Sequence, residues 1–410
     1  MLAWLNKDGR LLMAGRGVRA FSYGFMTVML GVYLGLLGLS PFAVGAVLTA
    51  TLVGDAALTL LVTLWAERFG RRKALVLLSL STALAALLFL WAPVFGVLLI
   101  APLVGVIASG GKDAGPFNVL GQAMLPQACP PGKRTAVFAL DQVVGEGALA
   151  LGSLASGLPA LFLPEDALIA GYRALFVAYA VLSLATGALY LLLSPSTEPP
   201  QRPQQARKAL LPESRGKVLK LAGLFAVDAA GGGLILQSFL AYWFFQRFGL
   251  SPQGLGLLFA VAGLLTAASA FASTWLAQRI GLLNTMVFTH IPSNVIIMLI
   301  PFAPGAWLAI GLFLVRTFLS QMDVPTRQSY TMAIVAPEER VAAAGITNLT
   351  RFSARAIGPG VGGFLFQSVS AAAPLFLGGA IKIAYDLALF AWFRNVHPPE
   401  EAVARAARRA

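Results

Sequence analysis

Ionisable side chains lying inside long apolar runs are the residues of this chain with the chemistry to act. Seven bases (Arg19, Lys112, Arg316, Arg327, Arg351, Arg355, Lys382) and seven acids (Asp55, Asp113, Asp141, Glu146, Asp228, Asp323, Asp386) fall within such stretches. A charge held away from water is costly, so it is retained where it pairs or does work. The near balance of sign implies pairing. Lys382 with Asp386, and Asp323 with Arg327, stand four apart and can pair along one helix face. Asp113 has only Lys112 beside it, and adjacent helical residues do not face each other; its i+4 neighbour is Phe117. Glu146 has no base within four positions. A desolvated carboxyl without a partner can gain and lose a proton, so Asp113 and Glu146 are the first candidates for proton carriage. Asp228, next to Gly231-Gly232-Gly233, is the third. Lys112, Arg316 and Arg327 can receive an anionic group, and Asp113, Asp228 and Asp323 a cationic one. Tyr23, Tyr33, Gln237, Tyr242 and Trp243 can add aromatic or polar contacts, with interfacial anchoring a further role for Trp243.

Other chemistry is excluded. One cysteine, Cys129, builds no disulfide framework, and His290 and His397 have no nearby cluster of thiols or carboxylates to complete a metal site. A nucleotide-cradling glycine loop ending in Gly-Lys-Ser/Thr is missing. The clustered His, Asp or Glu near a membrane face that a polytopic enzyme needs is missing too, so neither enzyme activity nor a bound cofactor is expected.

The elements that hold these charges must be membrane helices. Of 410 residues, 58% are hydrophobic and 11% charged, against about 25% charged in a soluble domain, so lipid must cover the surface. Runs long enough to cross a bilayer as helices fall near 17–38, 43–66, 74–92, 95–124, 136–158, 169–193, 219–245, 254–277, 283–302, 306–334, 342–368 and 372–394. The net charge of +13 sits mostly in short segments between them, which reads as membrane orientation and not as a nucleic-acid surface. Alternating the segments puts Lys7, Arg10, Arg16, Arg68, Arg71, Arg72, Lys73, Lys133, Arg134, the bases of 202–220, Arg279, Arg340, Arg394, Arg405, Arg408 and Arg409 on one side, against Arg173 and Arg247 on the other. Both termini are therefore expected in the cytoplasm. The proline-rich stretch Ser194 to Lys217 lies near the middle of the chain and reads as a linker.

The two sides of that linker repeat each other. Gly38-Leu39-Ser40-Pro41-x-x-x-Gly45 recurs as Gly249-Leu250-Ser251-Pro252-x-x-x-Gly256, 211 positions on. At the same shift Ala66-x-Arg68-x-Gly70 matches Ala277-x-Arg279-x-Gly281, and Pro126 matches Pro337; Asp113 matches Asp323 at 210. Duplicated halves enclosing a midplane site are the architecture of secondary transporters.

At this point the residues resemble the major facilitator superfamily. Its signature between helices two and three, G-x-L-A-D-R-x-G-R-[RK], is similar to Thr63-Leu64-Trp65-Ala66-Glu67-Arg68-Phe69-Gly70-Arg71-Arg72. The second copy has Gln278 in place of the acid. Gly358-Pro359-Gly360-Val361-Gly362-Gly363 is similar to the G-P-x-x-G-G element that drug:proton antiporters carry in helix five, where this chain has Gly152-Ser153-Leu154-Ala155-Ser156-Gly157. The arginine that many members carry in helix four is Gly105 here, with Arg316 at the repeat-related place.

The resemblance implies an all-α membrane protein of twelve transmembrane helices in two pseudo-symmetric six-helix bundles, at 1–193 and 219–394, with a cytoplasmic linker at 194–218 and a basic tail at 395–410. It places Asp323 and Arg327 on a cavity helix, and Lys382 with Asp386 outside the cavity as a structural pair. Glu67, Arg68, Gly70 and Arg71 become a cytoplasmic latch: Glu67 approaches the amino-terminal end of helix eleven, and Arg71 meets Asp141. Asp55 in helix two is expected to pair with Arg355 or Arg351 of helix eleven as a gate. The implied function is alternating access driven by protons, exporting small amphiphilic compounds, with proton-coupled uptake of an organic anion or other small metabolite as the alternative. The protein would act as a monomer in a plasma (inner) membrane, with a small-molecule substrate and the lipid bilayer as its partners and no nucleic acid.

Overall fold

The computed structural model describes residues 5–91, 94–111, 115–130, 133–198, 213–336 and 339–396. Sixteen α-helices occur among them, and no strand. They are α1 (Lys7–Leu36), α2 (Pro41–Phe69), α3 (Arg71–Leu88), α4 (Phe95–Val104), α5 (Pro116–Met124), α6 (Arg134–Ala155), α7 (Leu158–Phe162), α8 (Leu168–Leu191), α9 (Arg215–Leu234), α10 (Gln237–Phe248), α11 (Pro252–Ile280), α12 (Leu282–Leu299), α13 (Ala306–Ser320), α14 (Asp323–Ile334), α15 (Arg340–Ser368) and α16 (Ala373–Phe393). Nine described stretches, some joining two consecutive helices, are long and apolar enough to cross a membrane. The expected spans missing from that set are the third, fourth and eleventh. Each has a physical reason: α3 opens on Arg71-Arg72-Lys73, the fourth span is split into α4 and α5, and α15 is diluted by Arg351, Arg355 and its glycines.

The repeat seen in the sequence recurs as local structure. Gly38 and Gly249 both take positive φ (78° and 60°), a region open to glycine because it lacks Cβ. Ser40 then accepts from Ala43 N at 3.3 Å and Ser251 from Gly254 N at 3.2 Å, capping α2 and α11 ahead of the first-turn prolines Pro41 and Pro252. Gly70 and Gly281 (φ 97° and 90°) make the turns into α3 and α12 in the same way.

Packing divides the chain into two compact units, Met1–Arg202 with Leu236–Leu264, and Pro203–Ile235 with Leu265–Ala410. In the first, α1 lies along α6 with almost no side chain between them: a Cβ on Gly152 would stand 1.9 Å from Phe21 O, and one on Gly24 2.2 Å from Leu149 O. In the second, α9 and α15 meet the same way, and a Cβ on Gly358 would lie 2.3 Å from Gly233 C. Small residues let helix backbones approach where lipid provides no hydrophobic drive. Gly358, which opens the Gly358–Gly363 element, thus has a packing role, and α15 runs unbroken through Pro359.

Three expected helices are interrupted. Between α4 and α5 the backbone leaves the helix at Gly105, whose Cβ would meet Ser81 O at 2.2 Å. Non-helical backbone inside a membrane needs partners, and it has them. Thr82 Oγ1 accepts from Val106 N (3.3 Å), Tyr179 donates to Val106 O (2.9 Å), and Ser238 N and Oγ donate to Ser109 O (3.2 and 3.0 Å). The second interruption is at Ile235-Leu236, between α9 and α10. The third, at Gln321-Met322, separates α13 from α14, and there Ser273 Oγ donates to the freed Met322 O at 2.7 Å.

Candidate functional site

The second unit contains a buried ionic cluster built from five helices. Asp228 of α9 is at its centre. Its Oδ1 accepts from Lys382 Nζ of α16, and its Oδ2 lies 3.5 Å from Arg327 Nη1 of α14 and 3.7 Å from Arg351 Nη2 of α15. Arg327 is also paired with Asp323, one turn earlier on α14. On the far side of Asp228, His290 of α12 has Nε2 4.0 Å from Asp228 Oδ1 and Nδ1 2.8 Å from Asp386 Oδ1 of α16. Asn294, one turn further along α12, donates to Asp386 Oδ2 at 3.2 Å. A carboxylate can only accept, so Nδ1 carries a proton and Nε2 turns towards Asp228. Phe225 closes one side, with the Arg327 and Arg351 guanidiniums 5.6 and 5.9 Å from its ring.

Depth sorts the members. The side chains of Asp228, His290, Lys382, Asp386, Asp323 and Arg327 are at most 9% exposed, whereas that of Arg351 is 27% exposed. Arg316 of α13 is half-buried and within electrostatic reach of Asp323 and Asp228, yet its buried Nε has no hydrogen-bond partner among the described residues. Four permanent cations (Lys382, Arg316, Arg327, Arg351) thus face three carboxylates (Asp228, Asp323, Asp386), with a neutral or protonated imidazole between them. Such a cluster can hold a proton at more than one position and carries one positive charge to spare.

Several sequence expectations meet this geometry. Asp323 and Arg327 do pair. Lys382 and Asp386 do not close on each other as expected: α16 packs against both α9 and α12, and Lys382 turns to Asp228 on the first while Asp386 turns to His290 and Asn294 on the second. Asp228 is far from solitary. Glu146 is half-buried and accepts from the Gln142 amide, one turn back on α6, at 3.0 Å. Lys112 and Asp113 lie outside the described residues, as does the Glu67 side chain.

In the first unit Arg16 Nε lies 3.6 Å from Asp141 Oδ1, and the Arg71 guanidinium donates to Ala123 O at 3.3 Å. Arg68 is exposed. Asp55 lies against Gly115, where a Cβ would meet its Oδ1 at 2.1 Å, while Arg355 stands one turn beyond Arg351 on α15 of the second unit. Tyr23 is buried and stacked on Tyr179 (6.1 Å), a core role, and the Gln237 amide covers Gly111 at the broken fourth helix. Arg19 is buried, donates to Tyr190 at 2.6 Å and covers the Phe117 ring.

Sequence reasoning missed His290, Asn294 and Glu198. His290 and Asn294 share a helix face, the one available signal, but their acid is 92 residues from Asn294. Glu198, just inside the supposed linker, accepts from Arg71 N (2.6 Å) and Arg72 N (3.0 Å) and so caps α3, whose own N-cap, Gly70, has no side chain to do it.

The comparisons agree with this architecture. The yeast membrane protein YJR124C (Saccharomyces cerevisiae) is 27% identical over 425 residues, covering 95% of each chain. Among solved structures, the nucleoside transporter NupG superimposes with a TM-score of 0.71 at 16% identity over 94% of this chain and 98% of its own. A D-xylose–proton symporter does so with 0.71 at 13% identity over 94% and 97%. These likenesses show the fold. The profile of the Major Facilitator Superfamily matches residues 12–359, and the chain belongs to that family of membrane transporters.

Proposed function

We propose that the protein is a proton-coupled secondary transporter in which the Asp228 cluster is the coupling site. One observation carries this reading: a carboxylate buried with Lys382, Arg327 and Arg351 is backed by an imidazole already oriented by Asp386. Histidine is the side chain whose charge changes near physiological pH, so a proton can pass between His290 and Asp228 without leaving the bundle. Alternating access would then expose that proton to each side in turn. The proposed setting is a plasma (inner) membrane, where a proton gradient supplies the drive, with the protein acting as a monomer.

Two solute classes fit proton coupling. Export of an amphiphilic compound follows from the motif set, but Gly358 of its glycine-proline element serves α9–α15 packing here. Uptake of an organic anion is favoured by the four cations set against three carboxylates. Proteoliposomes under an imposed pH gradient, screened across compound classes, test the reading. Solute flux should follow the gradient, vanish when an ionophore collapses it, and be lost in the D228N/K382M double variant, which removes the closest pair of the cluster together and so strands no buried ammonium. Flux indifferent to the ionophore would refute proton coupling.

A further inference from the structure

The lipid-facing stripes of two repeat-related helices end on bases. On α11, Leu257, Leu264, Phe271 and Trp275 are exposed and stand seven, seven and four positions apart, which is one face of a helix. In a membrane protein such a face lies against acyl chains. Arg279 follows one turn after Trp275, at the foot of the stripe. Its guanidinium is 4.0 Å from the indole centroid, and it has no ion pair within 4 Å among the described residues. The same pattern ends α2, 211 positions earlier. Leu60, Leu64 and Arg68 are exposed at four-residue spacing, and Trp65 and Phe69 are exposed beside them with their rings 6.3 Å apart. Past the one-residue turn at Gly70, exposed Lys73 stands one turn before exposed Leu77, at the foot of the α3 stripe.

The bases around Gly70 are not equivalent. Arg71 and Arg72 donate to Ala123 O and Leu191 O, and Glu198 is spent on their backbone N–H groups. Arg68 and Lys73 have no ion pair within 4 Å among the described residues. Membrane orientation needs only a count of positive charges on one side; it does not place them below lipid-facing stripes and beside exposed indoles. Indole rings settle at headgroup level, and a guanidinium held there meets phosphate, which it recognises through paired N–H donors. A zwitterionic headgroup brings its own ammonium close to the base, whereas an acidic one brings negative charge with nothing to offset it. We propose that the feet of α2 and α11 are repeat-related docking sites for an acidic phospholipid. Its phosphate meets Arg68 and Lys73 in the first copy and Arg279 in the second, with the glycerol and acyl chains along Trp65 and Trp275. The first site is the tighter, because Lys73 adds a cation where the second copy has Asn284.

The test uses purified full-length protein in detergent. Phosphatidylglycerol, phosphatidylethanolamine and phosphatidylcholine of one acyl composition are added in turn, and bound lipid is counted by native mass spectrometry. Phosphatidylglycerol should be held in preference to the other two, at two sites of unequal strength. R279Q should weaken the looser site roughly fivefold and R68Q/K73Q the tighter one by roughly twenty-fivefold, about fivefold for each base. R279K keeps the charge without the planar stack and should retain part of the affinity. R10Q is the control: Arg10 is exposed near the start of α1, a helix with no exposed large apolar side chain among the described residues, and its loss should leave binding unchanged. The melting temperature of each variant shows that it folds. Equal retention of the three lipids, or wild-type retention of phosphatidylglycerol in R68Q/K73Q and R279Q, would overturn the proposal. So would a loss in R10Q as large as that in R279Q, since total charge would then suffice. Inorganic phosphate in excess separates the source of the anion: if it displaces phosphatidylglycerol, the sites take free phosphate and the lipid assignment fails.

Discussion

Asp228 on α9 faces Arg351 on α15 at 3.7 Å, and the first unit contains the same contact with its charges reversed, Arg16 on α1 facing Asp141 on α6 at 3.6 Å. Asp141 and Arg351 are 210 positions apart, the spacing that also relates Asp113 to Asp323. Each pair bridges the two helices that cross through glycines, Gly24 with Gly152 and Gly233 with Gly358. One helix crossing has thus been kept twice while its charge was inverted. The second copy then gathered more ionisable groups around its acid, from α12, α14 and α16, and so holds the buried carboxylate, imidazole and amine together.

Because the members of that cluster depend on each other unequally, their removal should cost unequally. Asp228 retains Arg327 and Arg351 when Lys382 is lost, whereas Lys382 has Asp228 as its one ion-pair partner within 4 Å among the described residues. D228N strands a buried ammonium and should cost about 3 to 5 kcal/mol, the penalty for breaking a buried pair from one side. K382M should cost less, and adding K382M to D228N should recover part of the loss. Melting of the four proteins in detergent forms the cycle; additive losses would show that Lys382 and Asp228 do not interact.

The contact between His290 and Asp386 predicts a second asymmetry. Asp386 fixes the imidazole so that Nε2 faces Asp228. D386N keeps the shape and offers an amide that can hydrogen-bond Nδ1 in either role, so the ring's protonation is no longer directed. The proton-coupled flux should therefore fall in D386N, and H290Q, which removes the ring, should abolish it. Wild-type flux in D386N would show that Asp386 does not orient the imidazole for coupling.

How much of this was legible in the sequence depends on range. Nine of the expected spans and the repeated turns at Gly38, Gly70, Gly249 and Gly281 follow from local rules of apolar length and backbone freedom, and they could be read directly. Pairing by i,i+4 spacing worked for Asp323 and Arg327 and failed for Lys382 and Asp386. Spacing identifies which groups can meet on one helix; the tertiary packing decides which of them do. His290 was passed over for the same reason, its acid being on another helix. The interruptions at Gly105, Ile235 and Gln321 were hidden because each lies inside a stretch long enough to read as one span; at Gly105 and Gln321 a hydroxyl on a neighbouring helix, Thr82 or Ser273, takes up a freed backbone group.

The Gly233–Gly358 crossing is a sensitive point. A methyl group at Gly358 would overlap Gly233 backbone atoms at 2.3 to 2.4 Å, and neither helix has a flexible side chain there to give way. G358A should therefore push α9 and α15 apart and cost about 1 to 3 kcal/mol, the usual range for overpacking. Gly345 on the same helix meets no heavy atom within 4 Å, so G345A should be neutral or stabilising. Melting temperatures of the pair check this; equal effects at the two sites would mean that the crossing is not close-packed.

Glu339 offers a pH-dependent prediction outside the membrane spans. Its carboxylate accepts from the backbone of Glu213 (2.8 Å) and Ser214 (2.9 Å), tying the chain just before α9 to the start of α15, and Ser214 Oγ in turn accepts from Ala336 N at 3.1 Å. The hydrogen bond from Glu213, reinforced by Ser214, holds the Glu339 carboxyl below its ordinary value. A depressed carboxyl contributes stability that is present above the unfolded value, about 4.3 for glutamate, and is lost as pH falls through the folded one. Amide exchange at Glu213 and Ser214, corrected for intrinsic rates, should therefore be slow at neutral pH and accelerate below about pH 4. E339Q should be fast at both pH values, because an amide offers one weaker acceptor where two N–H groups converge. Slow exchange in E339Q at neutral pH would show that something other than this carboxylate secures the start of the second unit.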